Sequence, residues 1–406
     1  MTVTLPEMSI MKCSLVTMNN KFRCYASCSF GLESVVAAEL TAVGAADIRS
    51  VDGRVYFSAD KTIIARANIR LRCADRVYIV ISEFTATTFE ELFENVKSID
   101  WFDILPKNAD IYVTGDAVRS ELMSVSDIQS VSKKAIIESM KKRYPDEVFY
   151  ENGELYPVYL INLKNTFTVC LNTSGPGLNR RGYRKKENTA PLRENLASGM
   201  IDLSRWHDRP FYDVMCGSGT IVIEAAMKAR HLYPGLLRRY SAETWGKGFS
   251  EAFADERKSA RAELKKKVDI PFFAYDIDPD SIEAAKLNAK NAHVLDLIRF
   301  DIRDAGKFMP DTSSGTIITN PPYANRMGEE KEVNELYKKI GERFRSLTDF
   351  KYYIITADEE FEIKFGKRAD KKRENCITEI RNATSISSLK SRKISHLFCN
   401  DSFIIN

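Results

Sequence analysis

Hydrophobic and polar positions along the chain change their rhythm near residue 211. Before it they mark short mixed units; after it, strands and helices in alternation. Phe22–Ser29 (FRCYASCS) has the pattern of a strand, and residues 31–45 (GLESVVAAELTAVGA) that of an amphipathic helix ending near Gly44. Arg54–Phe57 is a short strand after the Asp52-Gly53 turn, and Lys61–Asn68 begins a second helix. This β-α-β-α order predicts a small α+β unit. In a further unit, Phe89–Asn95 reads as helix and residues 111–118 (IYVTGDAV) as strand. Ser126–Arg143 reads as a helix carrying Lys133, Lys134, Lys141, Lys142 and Arg143. Pro157–Leu163 and Thr166–Asn172 then form two strands across the Lys164-Asn165 turn.

From Phe211 onward the candidate strands are residues 211–215 (FYDVM), 271–277 (PFFAYDI), 297–302 (LIRFDI), 316–320 (TIITN) and 351–356 (KYYIIT). Helical stretches lie between them, which predicts a parallel sheet flanked by helices. At 406 residues the chain is long enough for two or three domains. Its net charge of +4 is too small to identify a partner, so the placement of charge matters more than its sum. The densest basic stretch is residues 173–194 (TSGPGLNRRGYRKKENTAPLRE), with Arg180, Arg181, Arg184, Lys185, Lys186 and Arg193 against Glu187 and Glu194. Phosphate contact is its expected use, and a solvated linker the bland alternative. Eight cysteines include no CxxC pair and only four histidines accompany them, so no metal site is expected and a reducing, cytoplasmic location is. Residues 1–21 lack a basic start followed by an apolar stretch and are expected to be a leader, not a signal peptide.

Two segments carry chemistry. In Asp213-Val214-Met215-Cys216-Gly217-Ser218-Gly219-Thr220, small residues lead from a strand into a helix, so backbone can approach a ligand at free helical N–H groups. The spacing is neither GxGxxG nor a P-loop. Asp276, at the end of the next strand, can accept hydrogen bonds from ribose hydroxyls; its alternative is the N-cap of a helix near 279–291, which Asp278 could equally fill. Asp304 is placed to receive an adenine amine or to sit in a surface turn. Asn320-Pro321-Pro322-Tyr323 is the second segment. An exocyclic base amine is a poor nucleophile because its lone pair is delocalised. The Asn320 side-chain oxygen and the Pro321 carbonyl can accept its hydrogens, the prolines keep the corner rigid, and Tyr323 offers a face for an extruded base.

Taken together these segments resemble the THUMP-domain RNA methyltransferases, most closely the bacterial large-subunit ribosomal RNA guanine-N2 enzymes. The resemblance runs over residues 22–373 and rests on FGLESVVAAEL, SELMSVSDIQSVSKKAI, LNTSGPGLNRRGYR, APLRENLASGMI, DVMCGSGTIVIEAA, YDIDP and NPPYANRMG. It implies an α/β chain with a ferredoxin-like unit over 22–80, a THUMP RNA-binding domain over 81–172, a basic connector over 173–195 and a Rossmann-like class I methyltransferase domain over 196–373. It implies S-adenosylmethionine as cofactor, with Asp213, Cys216, Gly217, Gly219, Thr220, Asp276 and Asp304 around it. Asn320, Pro321, Pro322 and Tyr323 would be catalytic, and Lys133, Lys134, Arg180, Arg181, Arg184, Lys185 and Lys186 would meet RNA, expected to be 23S ribosomal RNA. Transfer RNA guanine N2, DNA adenine N6 and an RNA-binding protein with an inactive catalytic domain are the alternatives. Val214 departs from the proline usual at that place.

Residues 374–406 depart further. The family closes with a β-hairpin resembling RKLYNG and a second strand, whereas here the chain runs RENCITEIRNATSISSLKSRKISHLFCN. Codons can be chosen for Arg373–Leu389 so that another frame spells RKLYNGNTKCNIYQFL, a strand–turn–strand pattern, so a one-base shift near codon 373 is expected. A native tail would leave Tyr352–Thr356 as a bare edge strand.

Overall fold

The computed structural model describes residues 21–145, 148–184, 192–246, 248–323, 330–377 and 394–400. Two seven-stranded sheets organise them. The N-terminal sheet has β1 (Phe22–Cys28), β2 (Ala46–Val51), β3 (Arg54–Ala59), β4 (Ala74–Thr85), β5 (Asp110–Val118), β6 (Leu155–Leu163) and β7 (Thr166–Asn172), in the order β2-β3-β1-β4-β7-β6-β5. All neighbours are antiparallel except β5 and β6. The two units expected from the sequence thus share one sheet: β4 pairs with β1 on one side and with β7 on the other. Strands β2 and β4 were not foreseen. β2 (ADIRSV) is mostly exposed and alternates only over Ala46 to Arg49, and β4 follows its preceding helix with almost no turn chemistry between them.

The C-terminal sheet has β8 (Phe211–Asp213), β9 (Phe272–Asp276), β10 (Ile298–Ile302), β11 (Gly315–Thr319), β12 (Phe350–Thr356), β13 (Lys371–Ile377) and β14 (Ile394–Asn400), in the order β10-β9-β8-β11-β12-β14-β13. Strands β8 to β12 are parallel; β14 pairs antiparallel with β12 and with β13. The expectation that this tail would leave β12 as a bare edge is therefore corrected, because the backbone of β14 occupies that edge. From β8 the chain steps to β9 and β10 on one side, then returns to β11 and β12 on the other. The reversal falls between β8 and β11, the place where open α/β sheets form a crevice at the carboxyl ends of their strands.

One hydrophobic core runs through both halves, from Cys24 and Leu32 to Ile318 and Ile355. Helix Lys61–Arg70 packs on helix Phe249–Ala262, where Glu256 receives both Arg66 at 3.0 Å and Arg70. Helix Glu194–Leu203 meets Leu32 at Gly199, where an added Cβ would lie 2.6 Å from a Leu32 methyl. No described helix is long and apolar enough to cross a membrane.

The connector is locked down by a buried ion pair. Arg181 and Glu224 are almost wholly inaccessible and 3.3 Å apart, and Ser198 (2.6 Å) and Tyr183 (3.2 Å) also donate to the Glu224 carboxylate. Arg181 further donates to the carbonyls of Leu178 and Arg72. Removing one member of such a pair strands the other charge in low dielectric. Glu224→Ala is expected to destabilise the chain by about 3–5 kcal/mol, the range for breaking a buried pair from one side, read as the midpoint shift in urea unfolding.

Candidate active site

Helix Thr220–Ala229 starts immediately after β8, and the loop between them turns through Gly217 (φ 51°) and Gly219 (φ 84°), the left-handed region that glycine enters without strain. At Gly219 a Cβ would stand 3.0 Å from Ala285, so the glycine also allows the loop to press against helix Pro279–Asn291. At Gly217 a Cβ would meet nothing within 4 Å: its Cα faces open space. The Gly217 N–H donates to Asp276 Oδ2 at 2.8 Å, and Asn288 holds the Ser218 carbonyl at 3.1 Å. Asp276 Oδ1 accepts from the Asp278 N–H at 3.0 Å. Each carboxylate oxygen therefore keeps a lone pair for a ligand hydroxyl. The N-cap alternative for Asp276 falls away, since Asp278 itself caps the helix by accepting from Asp280 and Ser281. Asp304 stands beyond the end of β10 and caps the short turn Ala305–Lys307, its Oδ1 accepting from the Gly306 N–H at 2.8 Å.

Asp213 does not line the open space. It is 1% exposed, and its Oδ1 accepts from Thr319 Oγ at 3.1 Å while the backbone amides of Met215 and Val222 also bond to it. Its place is beneath the loop, holding it. Cys216 is likewise buried; its N–H is fixed to the Tyr275 carbonyl at 2.9 Å, and burial pushes its thiol well up, with Asp213 and Asp276 adding to the effect. Thr220 receives a hydrogen bond from Arg184 at 2.8 Å.

Strand β11 lies between β8 and β12, so Asn320 and its prolines begin where Thr319 meets Asp213. The Tyr323 hydroxyl donates to Asn320 Oδ1, and Tyr337 Oη donates to the Pro322 carbonyl at 2.9 Å. Burial raises the Tyr323 phenol, Tyr337 adding to it, which keeps the hydroxyl protonated as a donor. Thr319, Tyr337 and Asn288 are site residues that the sequence did not single out. Each looks like an ordinary strand or helix residue until its partner is placed.

The basic residues divide. Arg180 is exposed. Arg181 is corrected to a structural cation by its pairing with Glu224. Arg184 is largely covered, 3.3 Å from Glu194 and bonded to the Leu192 carbonyl as well as Thr220, so its charge is spent inside the chain. Lys133 pairs with Glu151 at 2.8 Å, and Lys134 lies over the Phe93 ring. Lys185 and Lys186 lie outside the described residues, as do residues 1–20 of the expected leader. Among the described residues one group could approach a metal, Glu39, Cys73 and Asp202. Lys228 and the Arg72 and Cys73 amides already engage its carboxylates, and we assign no ion there.

A loop with N–H groups at a helix start, an acidic residue after the adjacent strand and a crevice at the strand reversal together fit a nucleoside cofactor. Three family models match the chain: an RlmL ferredoxin-like domain over residues 23–78, a THUMP domain over 86–171, and an RMKL-like methyltransferase domain over 181–384. The chain belongs to the THUMP-domain RNA methyltransferases. YpsC of Bacillus subtilis (strain 168), a candidate RNA methyltransferase, is 39% identical over 363 residues, 87% of this chain and 92% of that one. Ribosomal RNA large subunit methyltransferase K/L of Shewanella baltica (strain OS155) is 33% identical over 362 residues, 86% of this chain. This chain spans about half, 50%, of that K/L relative. The crystal structure of SMU.472, complexed with SAH, superposes with a TM-score of 0.86 at 33% identity, covering 96% of this chain and 100% of that one. The domain is a class I methyltransferase with S-adenosylmethionine as its cofactor. Open space at Gly217 beside the Asp276 carboxylate accords with that group.

Burial raises the Asp213 carboxyl from 3.8 to about 8, with Asp276 adding to it and the Thr319 and backbone hydrogen bonds opposing. The folded chain then holds a proton that the unfolded chain has released between these values. Stability conferred by the protonated form is complete below 3.8 and is lost as pH rises through about 8. Asp213→Asn, which cannot ionise, is expected to flatten the fall in Tm between pH 5 and pH 8.5, followed by circular dichroism; an unchanged slope would count against a titrating Asp213.

Proposed function

We propose that this chain methylates the exocyclic N2 amine of a guanine in 23S ribosomal RNA. The observation that carries the reading is the seating of Asn320–Tyr323 beside the Gly217 loop, with Thr319 bonded to Asp213 beneath both. When bound, S-adenosylmethionine supplies an electrophilic methyl group on a sulfonium sulfur. Asp276 would take the ribose hydroxyls, Asp304 would stand at the adenine, and the N–H groups at the start of helix Thr220–Ala229 would border the rest.

The target base must leave its stack to reach this corner. Asn320 Oδ1 and the Pro321 carbonyl accept its two amine hydrogens, drawing the nitrogen lone pair out of conjugation and towards the methyl group. In the free chain Asn320 Oδ1 is held by the Tyr323 hydroxyl, so the amine replaces that hydroxyl as the donor and Tyr323 is released to stack on the base. The amine needs no base before transfer, because the nitrogen becomes acidic only once it is alkylated. The THUMP domain and the large-subunit K/L relatives favour RNA over DNA adenine N6, which the same corner could serve.

Asn320→Ala is expected to lower kcat for methyl transfer about 10²–10³-fold, as for loss of one preorganised polar group, with cofactor affinity retained. Transfer from tritiated S-adenosylmethionine to 23S RNA from a gene-deletion strain gives the rate, and nucleoside mass spectrometry gives the product. N2-methylguanosine supports the assignment. N6-methyladenosine, or methyl transfer confined to transfer RNA or DNA, refutes it.

A further inference from the structure

The N-terminal sheet buries one face against its helices, and among the described residues no α-helix lies over the aromatic row on the other. Alternation along β1 puts Cys24 and Ala26 into the core and Arg23, Tyr25 and Ser27 on the opposite face. The same alternation in β3 puts Arg54 and Tyr56 there. Register then builds a row. Tyr25 is the direct partner of Tyr56 on one side and of Tyr78 on the other. On β6, Tyr159 stands opposite Cys170, whose small side chain lets Tyr159 reach across β7 to Tyr78. Ring centroids along the row are 5.5, 4.7 and 5.2 Å apart, four aromatic side chains crossing five strands. These rings form a cluster separate from the main core.

Cations lie on the row. Arg54 stands over the Tyr25 ring, and Arg23 and Arg49 over that of Tyr56. The face opens as a cleft of about 980 Å³ that continues to Arg76, Arg180 and Arg193 beside the connector. Of the carboxylates in the cleft, Asp75 is paired with Arg193 and Asp116 accepts from the Tyr159 hydroxyl. Beyond the row, Tyr112 on β5 lines the same cleft at 59% exposure.

Tyr25 and Tyr78 are buried within the row and form its floor, while exposed Tyr112, half-buried Tyr159 and the guanidinium groups suit unpaired bases, whose π-faces stack and whose phosphates take the cations. An A-form duplex offers it little, since its bases are already stacked and its deep groove is closed to side chains. We propose that this open face of the shared sheet binds an unpaired RNA strand, bases against Tyr112 and Tyr159 and phosphates against Arg54 and its neighbours. The inference rests on the RNA reading above and adds where, and in what form, the RNA is held. It shares Arg180 and Arg193 with the connector but differs from the helix Val125–Lys141, which the lysine count favoured.

Fluorescence anisotropy of the full chain with a 5-iodouridine-containing single-stranded 12-mer and with a fully paired RNA hairpin tests it. Tyr112→Ser and Arg54→Gln, both outside the methyl-transfer site, are each expected to weaken single-strand binding at least fivefold, with S-adenosylmethionine binding by calorimetry unchanged as the check on folding. Photocrosslinks are expected at Tyr112 or Tyr159. Unaltered single-strand affinity in both variants, or crosslinks confined to helix Val125–Lys141, overturns the proposal and leaves the RNA reading standing, as does binding of the hairpin alone. If the parent chain holds neither RNA, both fall.

Discussion

A buried hydrogen bond, from Thr319 to Asp213, ties the strand end that leads into the Gly217 loop to the one that leads into the Asn320 corner, the two segments proposed to carry the chemistry. Neighbouring parallel strands can slide or splay at their ends, where no further ladder constrains them. Here the end of β8 carries the cofactor loop and the end of β11 carries the Asn320 corner. Methyl transfer needs the two within near-attack geometry, and misplacement by about 1 Å can cost on the order of 100-fold in rate. Asp213 meets that need from below, gripping Thr319 with one oxygen and loop amides besides. Its burial makes the grip conditional, because a carboxyl so desolvated is held protonated well into the neutral range.

The same logic operates at larger scale. Contacts beyond the Asn320 corner can add to the choice among RNA sites only if the N-terminal sheet is held at a fixed position relative to the crevice. The continuous core, the Glu256 contacts with Arg66 and Arg70, and the buried Arg181–Glu224 pair supply that rigidity. A connector that floated freely would let the N-terminal sheet and the Asn320 corner address different parts of the substrate.

Much of this was legible in the residues. The helix near 279–291 was anticipated with Asp276 and Asp278 both open as its cap; the structure gives the cap to Asp278, with Pro279 at the first helical position. Strands β8 to β12 were found to within a residue or two, most of them because buried parallel strands are apolar runs, whereas β13 and β14 were not expected. Other features needed three dimensions. Arg181 counts as a surface cation in any tally of charge, since the glutamate that neutralises it comes 43 residues later on another element. Thr319 passes as an ordinary strand former. The tyrosine row depends on register between strands far apart in the chain, and one of those strands, β4, was not recognised at all.

The most direct measurement is a double-mutant cycle on Thr319→Val and Asp213→Ala, read as kcat/KM for methyl transfer. If one shared anchor sets both loops, the double variant is no slower than the slower single variant, giving a coupling within the range of about 0.5–3 kcal/mol seen for contacting residues. Losses that simply multiply would show two independent contributions and contradict the account.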